Sequence, residues 1–286
     1  MVLLLPLAPA ARAAAGDCTP ESSECNRNYA GTTNPQQVLD VFYVNKTAGG
    51  RRPAVLFVHG GGWRGGDKSD PNQFIVGGRP LPRILAERTG WVAFSMDYRL
   101  KTAAPYLDEP ADVDTAVRWI KSNAATYSID PDRVALVGWS AGGHLALFDA
   151  FTHPNGDPGH VKAVVSWDGP IDMVTFAAYW RCAPVNGTCM GGLDIGEDIY
   201  EFEGSCALFQ CPLRYLNTSP LQVADANDPP TLLVHGLLDV LVPLEQPLEL
   251  KAKRAQQTQL HLCPYSGHQV ADCAAEPTIT YLTKTL

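Results

Sequence analysis

Ser140 stands in Gly138-Trp-Ser-Ala-Gly142, after the apolar run Val134-Ala-Leu-Val137 and before a helical pattern carrying Leu145, Ala146, Leu147 and Phe148. A serine in G-x-S-x-G between a strand and a helix sits on a tight turn that lifts its hydroxyl above a sheet edge. The glycines leave room where a Cβ would meet a neighbouring element. The following helix aims its positive end and free N–H groups at the same point. The chemistry implied is acyl transfer through an activated hydroxyl. The bland alternative is an ordinary strand-turn-helix corner.

A second stretch serves that chemistry. His59-Gly-Gly-Gly-Trp63 follows the β-branched apolar run Ala54-Val-Leu-Phe-Val58. Glycines in such a loop let backbone N–H groups approach a developing oxyanion. His59 is expected to fix the loop by hydrogen bonding rather than to act as a base. Trp63 is a pocket wall or plain packing.

An activated serine needs a base, and the base needs an orienting acid. His144 lies in the helix after Ser140. His153 and His160 flank a loop, while His235 and His261 end or occupy strands. His268, in Tyr265-Ser-Gly-His268, falls in the loop after the last strand, where a base can reach over the serine. Asp239 and Glu245 follow the strand at 231–234, and Asp239 sits in the short loop before a helix. Asp168 is the runner-up acid, with a cap or turn role as its structural alternative. The reading is therefore Ser140 as nucleophile, His268 as base and Asp239 as orienting acid.

The elements that must position these groups are legible as alternating strands and helices from residue 54 onward. Strands are expected at 54–58, 91–98, 134–137, 161–167, 231–234 and 259–263. Helices are expected at 71–88, 108–125, after Ser140, 244–255 and 269–285, the last interrupted near Pro277. In the helix from Asp108, Val113, Ala116, Val117, Ile120 and Ala124 form one stripe. Val38–Val44 alternates and is read as an antiparallel edge strand, and Asp130–Arg133 as a turn. The sum is an α/β fold with one doubly wound, mostly parallel sheet, and ligands at the carboxyl ends of its strands. Residues 172–220 break the pattern. Long insertions of this kind are usually functional, and this one is expected to be a cap or lid.

The chain has 286 residues, with 45% hydrophobic and 18% charged, and fits a single domain spanning 16–286. Its 22 basic and 30 acidic residues give a net charge of -8, which argues against nucleic acid or an anionic membrane as partner. No apolar run reaches membrane-spanning length. Residues 1–15 have the apolar core and A-x-A sites of a secretory signal peptide, without its basic start. Residues 16–36 read as an exposed polar arm. Eight cysteines in loop-like segments imply disulfides, with neighbours expected to pair, and hence a secreted or periplasmic protein. Cys263 and Cys273 bracket His268, where a disulfide would stiffen the base loop. No zinc-type spacing is present. The oligomeric state is not indicated.

The order Ser140, Asp239, His268 is that of the α/β-hydrolase superfamily. His59-Gly-Gly-Gly-Trp63 with Gly138-Trp-Ser-Ala-Gly-Gly143 resembles esterases related to hormone-sensitive lipase. Within that group the chain looks most like the bacterial feruloyl-esterase-like branch. Asp97-Tyr-Arg99, Asp112, Ile129-Asp-Pro-Asp-Arg133, His144 and the H-G-x-x-D-x-x-V-P pattern from His235 to Pro243 match it too. The resemblance covers roughly 38–286 outside the insertion. It departs at Trp139, where those relatives usually carry Asp, and in the cysteine-rich segments.

The resemblance implies an α/β-hydrolase fold and a serine carboxylesterase. It also implies an oxyanion hole from the N–H groups of Gly61, Gly62 and Ala141, and no metal or cofactor. Trp63 and Trp139 are candidate substrate contacts. Feruloyl or aryl, acetyl-sugar and polyester substrates are all compatible with it. An arylformamidase, a small peptidase or another amidase of the same fold is the alternative, and a non-catalytic binding module a further one.

Overall fold

The structure is a computed structural model that describes residues 17–47, 49–70, 73–100, 107–180 and 195–286. The expected signal peptide therefore lies outside the described residues. So does the central part of the insertion, with Cys182 and Cys189.

The chain opens with β1 (Glu24–Asn28), β2 (Val38–Phe42) and β3 (Arg52–Val58). A two-strand ribbon follows, β4 (Ile75–Val76) and β5 (Arg79–Pro80), then α1 (Leu81–Thr89) and β6 (Val92–Met96). Next come α2 (Asp108–Ser122), α3 (Ala124–Tyr127), β7 (Ile129–Trp139), α4 (Ala141–Thr152) and β8 (Ala163–Trp167). The insertion supplies α5 (Met173–Tyr179), α6 (Ile195–Phe202), α7 (Pro212–Thr218) and α8 (Pro220–Val223). The chain closes with β9 (Thr231–Gly236), α9 (Glu245–Lys253), β10 (Thr258–Cys263) and α10 (Ala271–Thr285).

Eight strands form one sheet in the order β1-β2-β6-β3-β7-β8-β9-β10. Every pair from β6 to β10 is parallel, while β1–β2 and β2–β6 are antiparallel. The continuous apolar runs explain the two-sided burial. Along β3, Ala54, Leu56 and Val58 belong to one core, and Val55 and Phe57 to the other. On β7, Val134 and Leu136 face the first core, Ala135 and Val137 the second. Period-two alternation thus feeds two apolar layers, the geometry of a sheet covered on both faces. α2 and α4 pack on the first layer, α1 and α10 on the second.

Several expectations need correction. The described part of the expected arm, residues 17–36, is not free, because Glu24–Asn28 is the edge strand and Val38–Phe42 lies inside it. The segment is held by buried polar contacts and by the Cys18–Cys25 disulfide. Asp40 accepts from the N–H groups of Thr19 (2.5 Å) and Asn26 (2.8 Å), and the Tyr29 hydroxyl donates to the Asp97 carbonyl (2.9 Å). The Lys68 ammonium is buried 3.6 Å from Asp40 and 3.8 Å from Asp97, and it also donates to the Asp17 carbonyl. Burial lifts the Asp97 carboxyl to about 7, against the pull of Lys68.

The expected helix at 71–88 begins only at Leu81. Gly77 and Gly78 both take positive φ (57° and 80°), which makes residues 75–80 a tight hairpin. Asp130–Arg133 is not a turn. It is the start of β7, joined to β3 through a register shift opposite Arg52 and Ala54. α10 runs through Pro277 without interruption. The helix tolerates that missing N–H because Ala274, Ala275, Thr278, Ile279 and Leu282 are anchored in the core, and the Trp167 indole donates to Thr278 (2.9 Å). Neighbouring cysteines pair as expected at Cys18–Cys25, Cys206–Cys211 and Cys263–Cys273. Among the described residues, no helix is long and apolar enough to cross a membrane.

Lys68→Met leaves two buried carboxyl groups without their cation, so it is expected to cost about 3–5 kcal/mol. Urea unfolding at pH 7 checks this. A loss below about 1 kcal/mol would show that the buried cluster does not hold the N-terminal segment.

Candidate active site

Ser140 joins β7 to α4 with φ 54° and ψ -123°, a conformation L-residues rarely adopt. Its neighbours explain how the turn survives. A Cβ on Gly138 would lie 2.1 Å from the Gly142 carbonyl oxygen. One on Gly142 would lie 2.1 Å from the Val58 carbonyl oxygen, and one on Gly143 2.6 Å from Ser166 Oγ. Strand and helix therefore cross at backbone contact. The Ser140 N–H donates to the Trp167 carbonyl at 2.8 Å. α4 begins at Ala141, whose N–H belongs to the first turn and has no acceptor within the helix.

The three sequence-selected side chains meet. Ser140 Oγ lies 2.8 Å from His268 Nε2, and His268 Nδ1 lies 2.8 Å from Asp239 Oδ2. Asp239 Oδ1 accepts from the N–H groups of Leu241 (2.7 Å) and Val242 (3.0 Å). Burial pushes the Asp239 carboxyl up, but His268 and these two N–H groups outweigh it and hold it below the usual carboxylate range. The loop carrying His268 is tied down on several sides. Its carbonyl at His268 accepts from the Trp139 indole (2.9 Å), and Ser266 accepts from the Leu238 N–H (2.9 Å). A Cβ on Gly236 would lie 2.1 Å from the Gly267 carbonyl oxygen, and the Cys263–Cys273 disulfide closes the loop. Trp139 thus anchors His268 through its backbone.

The glycine loop lies opposite. Gly61 and Gly62 have φ of 114° and 61°, and both line a cavity of about 290 Å³ with Ser140, Ala141 and His268. His59 is buried and stacks on Tyr98 at 4.2 Å, its Nδ1 donating to the Gly60 carbonyl (2.7 Å). Burial lowers its imidazole to about 4, so it is neutral, as expected of a loop-fixing residue. Tyr98 holds the same corner by donating to the His59 carbonyl (3.0 Å), while Arg99 ends that segment in a paired contact with Asp112. Trp63 is almost wholly buried yet touches the cavity. It stacks on Phe202 at 4.7 Å and donates to His144 Nδ1 (3.3 Å). His144 in turn donates from Nε2 to the Thr218 carbonyl (2.8 Å). Glycine loop, elbow helix and insertion are thereby linked through one buried imidazole.

Of the histidines passed over, His144 lies in α4 and His235 packs 3.9 Å from Asp239, while the others lie away from the site. His153 contacts Asp149 and Asp114 at the far end of α4, His160 hydrogen-bonds the His153 carbonyl, and His261 is on the outer strand β10. Glu245 opens α9. Asp168 lies next to the trio, with one atom each of Asp168, Asp239 and His268 within 4.8 Å. It does not hold the imidazole; Asp239 does.

Sequence reasoning missed other contributors. Gln73 accepts from the Gly60 N–H (2.6 Å) and lines the cavity with Asp70 and Asp198. Arg64, just beyond the glycine loop, pairs with Asp198 (2.8 Å) and Glu201 (2.9 Å) of α6. These residues have no periodic or positional signature. They are recognisable only once the insertion is seen against the loop.

The mostly parallel sheet, the serine elbow and the glycine loop place the chain among the α/β-hydrolases. It belongs to the BD-FAE family, whose model matches residues 39–253. It is similar to Esterase LipC of Mycobacterium tuberculosis, 29% identical over 82% of this chain and 57% of that protein. It is also similar to the probable carboxylic ester hydrolase LipM of the same organism, 30% identical over 69% of this chain and 43% of that protein. The chain spans about half the length of these curated relatives. A solved truncated carbohydrate esterase from gut microbiota superposes with a TM-score of 0.75 and 23% identity, covering 94% of this chain and 99% of that one. That likeness shows the shared fold.

Gly142→Ala forces a Cβ against the Val58 and His59 carbonyls and is expected to destabilise the protein by about 1–3 kcal/mol. Differential scanning calorimetry checks this. A melting temperature equal to wild type would contradict the interlocked elbow.

Proposed function

We propose that the chain is a serine carboxylesterase in which Ser140, His268 and Asp239 form the catalytic triad. The observation that carries this is the continuous hydrogen-bonded line from Ser140 Oγ through His268 to a buried Asp239. His268 Nε2 accepts the Ser140 proton as Oγ attacks the ester carbonyl. Asp239 holds the tautomer and stabilises the imidazolium. The N–H groups of Gly61, Gly62 and Ala141 are assigned to the oxyanion. The alcohol leaves with the proton from His268. Water, deprotonated by the same imidazole, then attacks the acyl-enzyme and releases the acid.

The substrate class is read from the cavity. At about 290 Å³ it suits a short acyl group against Trp139, Phe176 and Val242, and Asp70, Gln73 and Asp198 offer hydroxyl-binding oxygens and amide. This favours a small acyl ester of a polyhydroxylated alcohol. The structural likeness to a carbohydrate esterase supports that reading. Residues 172–220 act as the cap in this account, since Phe176, Ile195 and Asp198 line the cavity. The three disulfides among the described residues support an oxidising compartment, and so secretion or export to the periplasm.

Ser140→Ala is expected to lower kcat by about 10⁶-fold while the fold stays intact. Stopped assays on p-nitrophenyl acetate with circular dichroism check it, and retained turnover would refute the assignment. Among acetyl, butyryl and octanoyl p-nitrophenyl esters, methyl ferulate and acetylated xylan, acetyl esters are expected to give the highest kcat/KM. Preference for octanoyl or feruloyl esters would overturn the short-acyl reading. Faster cleavage of N-formyl or peptide substrates would point to an amidase.

A further inference from the structure

Asp168 is a buried carboxyl that the triad mechanism leaves unused. It follows β8 in a left-handed turn (φ 48°), its N–H donating to the Val234 carbonyl. Asp168 Oδ1 accepts from the Gly236 N–H at 2.9 Å and lies 3.4 Å from His235 Nδ1. Oδ2 is buried and meets no N–H or hydroxyl donor among the described residues. Across the site lies Asp239, whose oxygens already face Leu241, Val242 and His268.

His235 defines what Asp168 must be. Its Nε2 lies 3.0 Å from the Val242 carbonyl, which can only accept, so Nε2 carries the hydrogen. Burial lowers this imidazole, leaving it neutral at pH 7 and above. Nδ1 is then a bare lone pair directed towards Asp168. The groups facing Asp168 are thus the neutral His235, the anionic Asp239 and, beyond it, His268. An ionised Asp168 would turn one oxygen to a lone pair and lie beside a second buried carboxylate, without a cation of its own. A protonated one carries no charge, and with its hydrogen on Oδ2 it supplies a donor towards the neighbouring Asp239.

We infer that Asp168 is a positioning residue held as the neutral acid, donating its proton towards Asp239 and so fixing the carboxylate that orients His268. This rests on the triad reading above. Burial and the neighbouring Asp239 raise the Asp168 carboxyl to about 8, against the pull of the Gly236 N–H. Above that pH a second anion forms beside Asp239. The two carboxylates repel, and Asp239 shifts off His268 Nδ1. The folded protein therefore retains a proton from about pH 3.8 to 8 that the unfolded chain releases, so this group's contribution to stability falls as pH rises through that window.

Asp168→Asn tests the role, because the amide keeps the acceptor for Gly236, donates permanently and suits the left-handed turn. The kcat/KM for p-nitrophenyl acetate is measured from pH 6 to 10. Wild type is expected to lose about tenfold above pH 8. Asp168→Asn should stay within about threefold of wild type at pH 7 and lack that alkaline fall, and its Tm should gain on wild type as pH rises from 5 to 8. Asp168→Ala, with folding checked by circular dichroism, should lose at least tenfold in kcat at pH 7. An Asn variant with the wild-type alkaline fall would overturn the role. So would one as inactive as Asp239→Asn, or an Ala variant with wild-type kcat. Ser140→Ala and Asp239→Asn are run alongside. If they retain turnover, the triad is wrong and this role falls with it. If they are inactive and the Asn variant behaves as wild type, only the role of Asp168 fails.

Discussion

The structure depends on one steric constraint: three backbone segments must meet at Ser140 within distances that admit no Cβ. Gly138 meets Gly142, Gly142 meets the end of β3, and Gly143 meets Ser166. This contact lets β7 pass directly into α4 while Ser140 keeps its strained dihedrals. It also brings the carboxyl end of β3, and with it the glycine loop, against the first turn of α4. The glycine loop and Ser140 are near each other because the elbow and the central strands are interlocked. The strain is held by what surrounds it, since α4 is buried over nearly its whole circumference.

Around that centre, electrostatics are arranged by burial more than by net charge. Asp239 is desolvated, yet it remains anionic because an imidazole and two backbone N–H groups face it. His59 and His144 are desolvated without a charged partner and are held neutral, which suits their roles as hydrogen-bonding joints in the loop and helix. Across the cavity, Arg64 carries its ion pairs to α6, so the insertion and the glycine loop share a charged contact as well as the Trp63–Phe202 stack. Such partly exposed pairs contribute little stability individually. Their effect here is geometric, fixing where α6 stands relative to Gly62.

Much of this was legible in the sequence, for identifiable reasons. The two-faced burial of β3 and β7 shows as uninterrupted apolar runs. The elbow carrying Ser140 and the glycine loop announce themselves by local pattern. Asp239 and His268 follow from the rule that ligand-binding residues lie just past strand ends. What stayed hidden depends on contacts distant in sequence. Residues 17–36 read as a polar arm because their anchors, Asp40, Lys68 and Asp97, lie up to about 80 residues away. The hairpin at 75–80 was masked by a helix-compatible composition, though Gly77-Gly78 was the available signal. Pro277 misled in the other direction, because tertiary packing overrides its local cost. Gln73, Arg64 and Asp198 became visible only when the insertion and the glycine loop were placed together.

The most direct measurement of the central claim is covalent trapping. A fluorophosphonate reports an activated serine hydroxyl, and intact-mass and peptide mass spectrometry locate the adduct. The account predicts a single stoichiometric adduct on the peptide carrying Ser140, formed far more slowly in His268→Ala. No adduct on the folded protein, or an adduct on another serine, would contradict it.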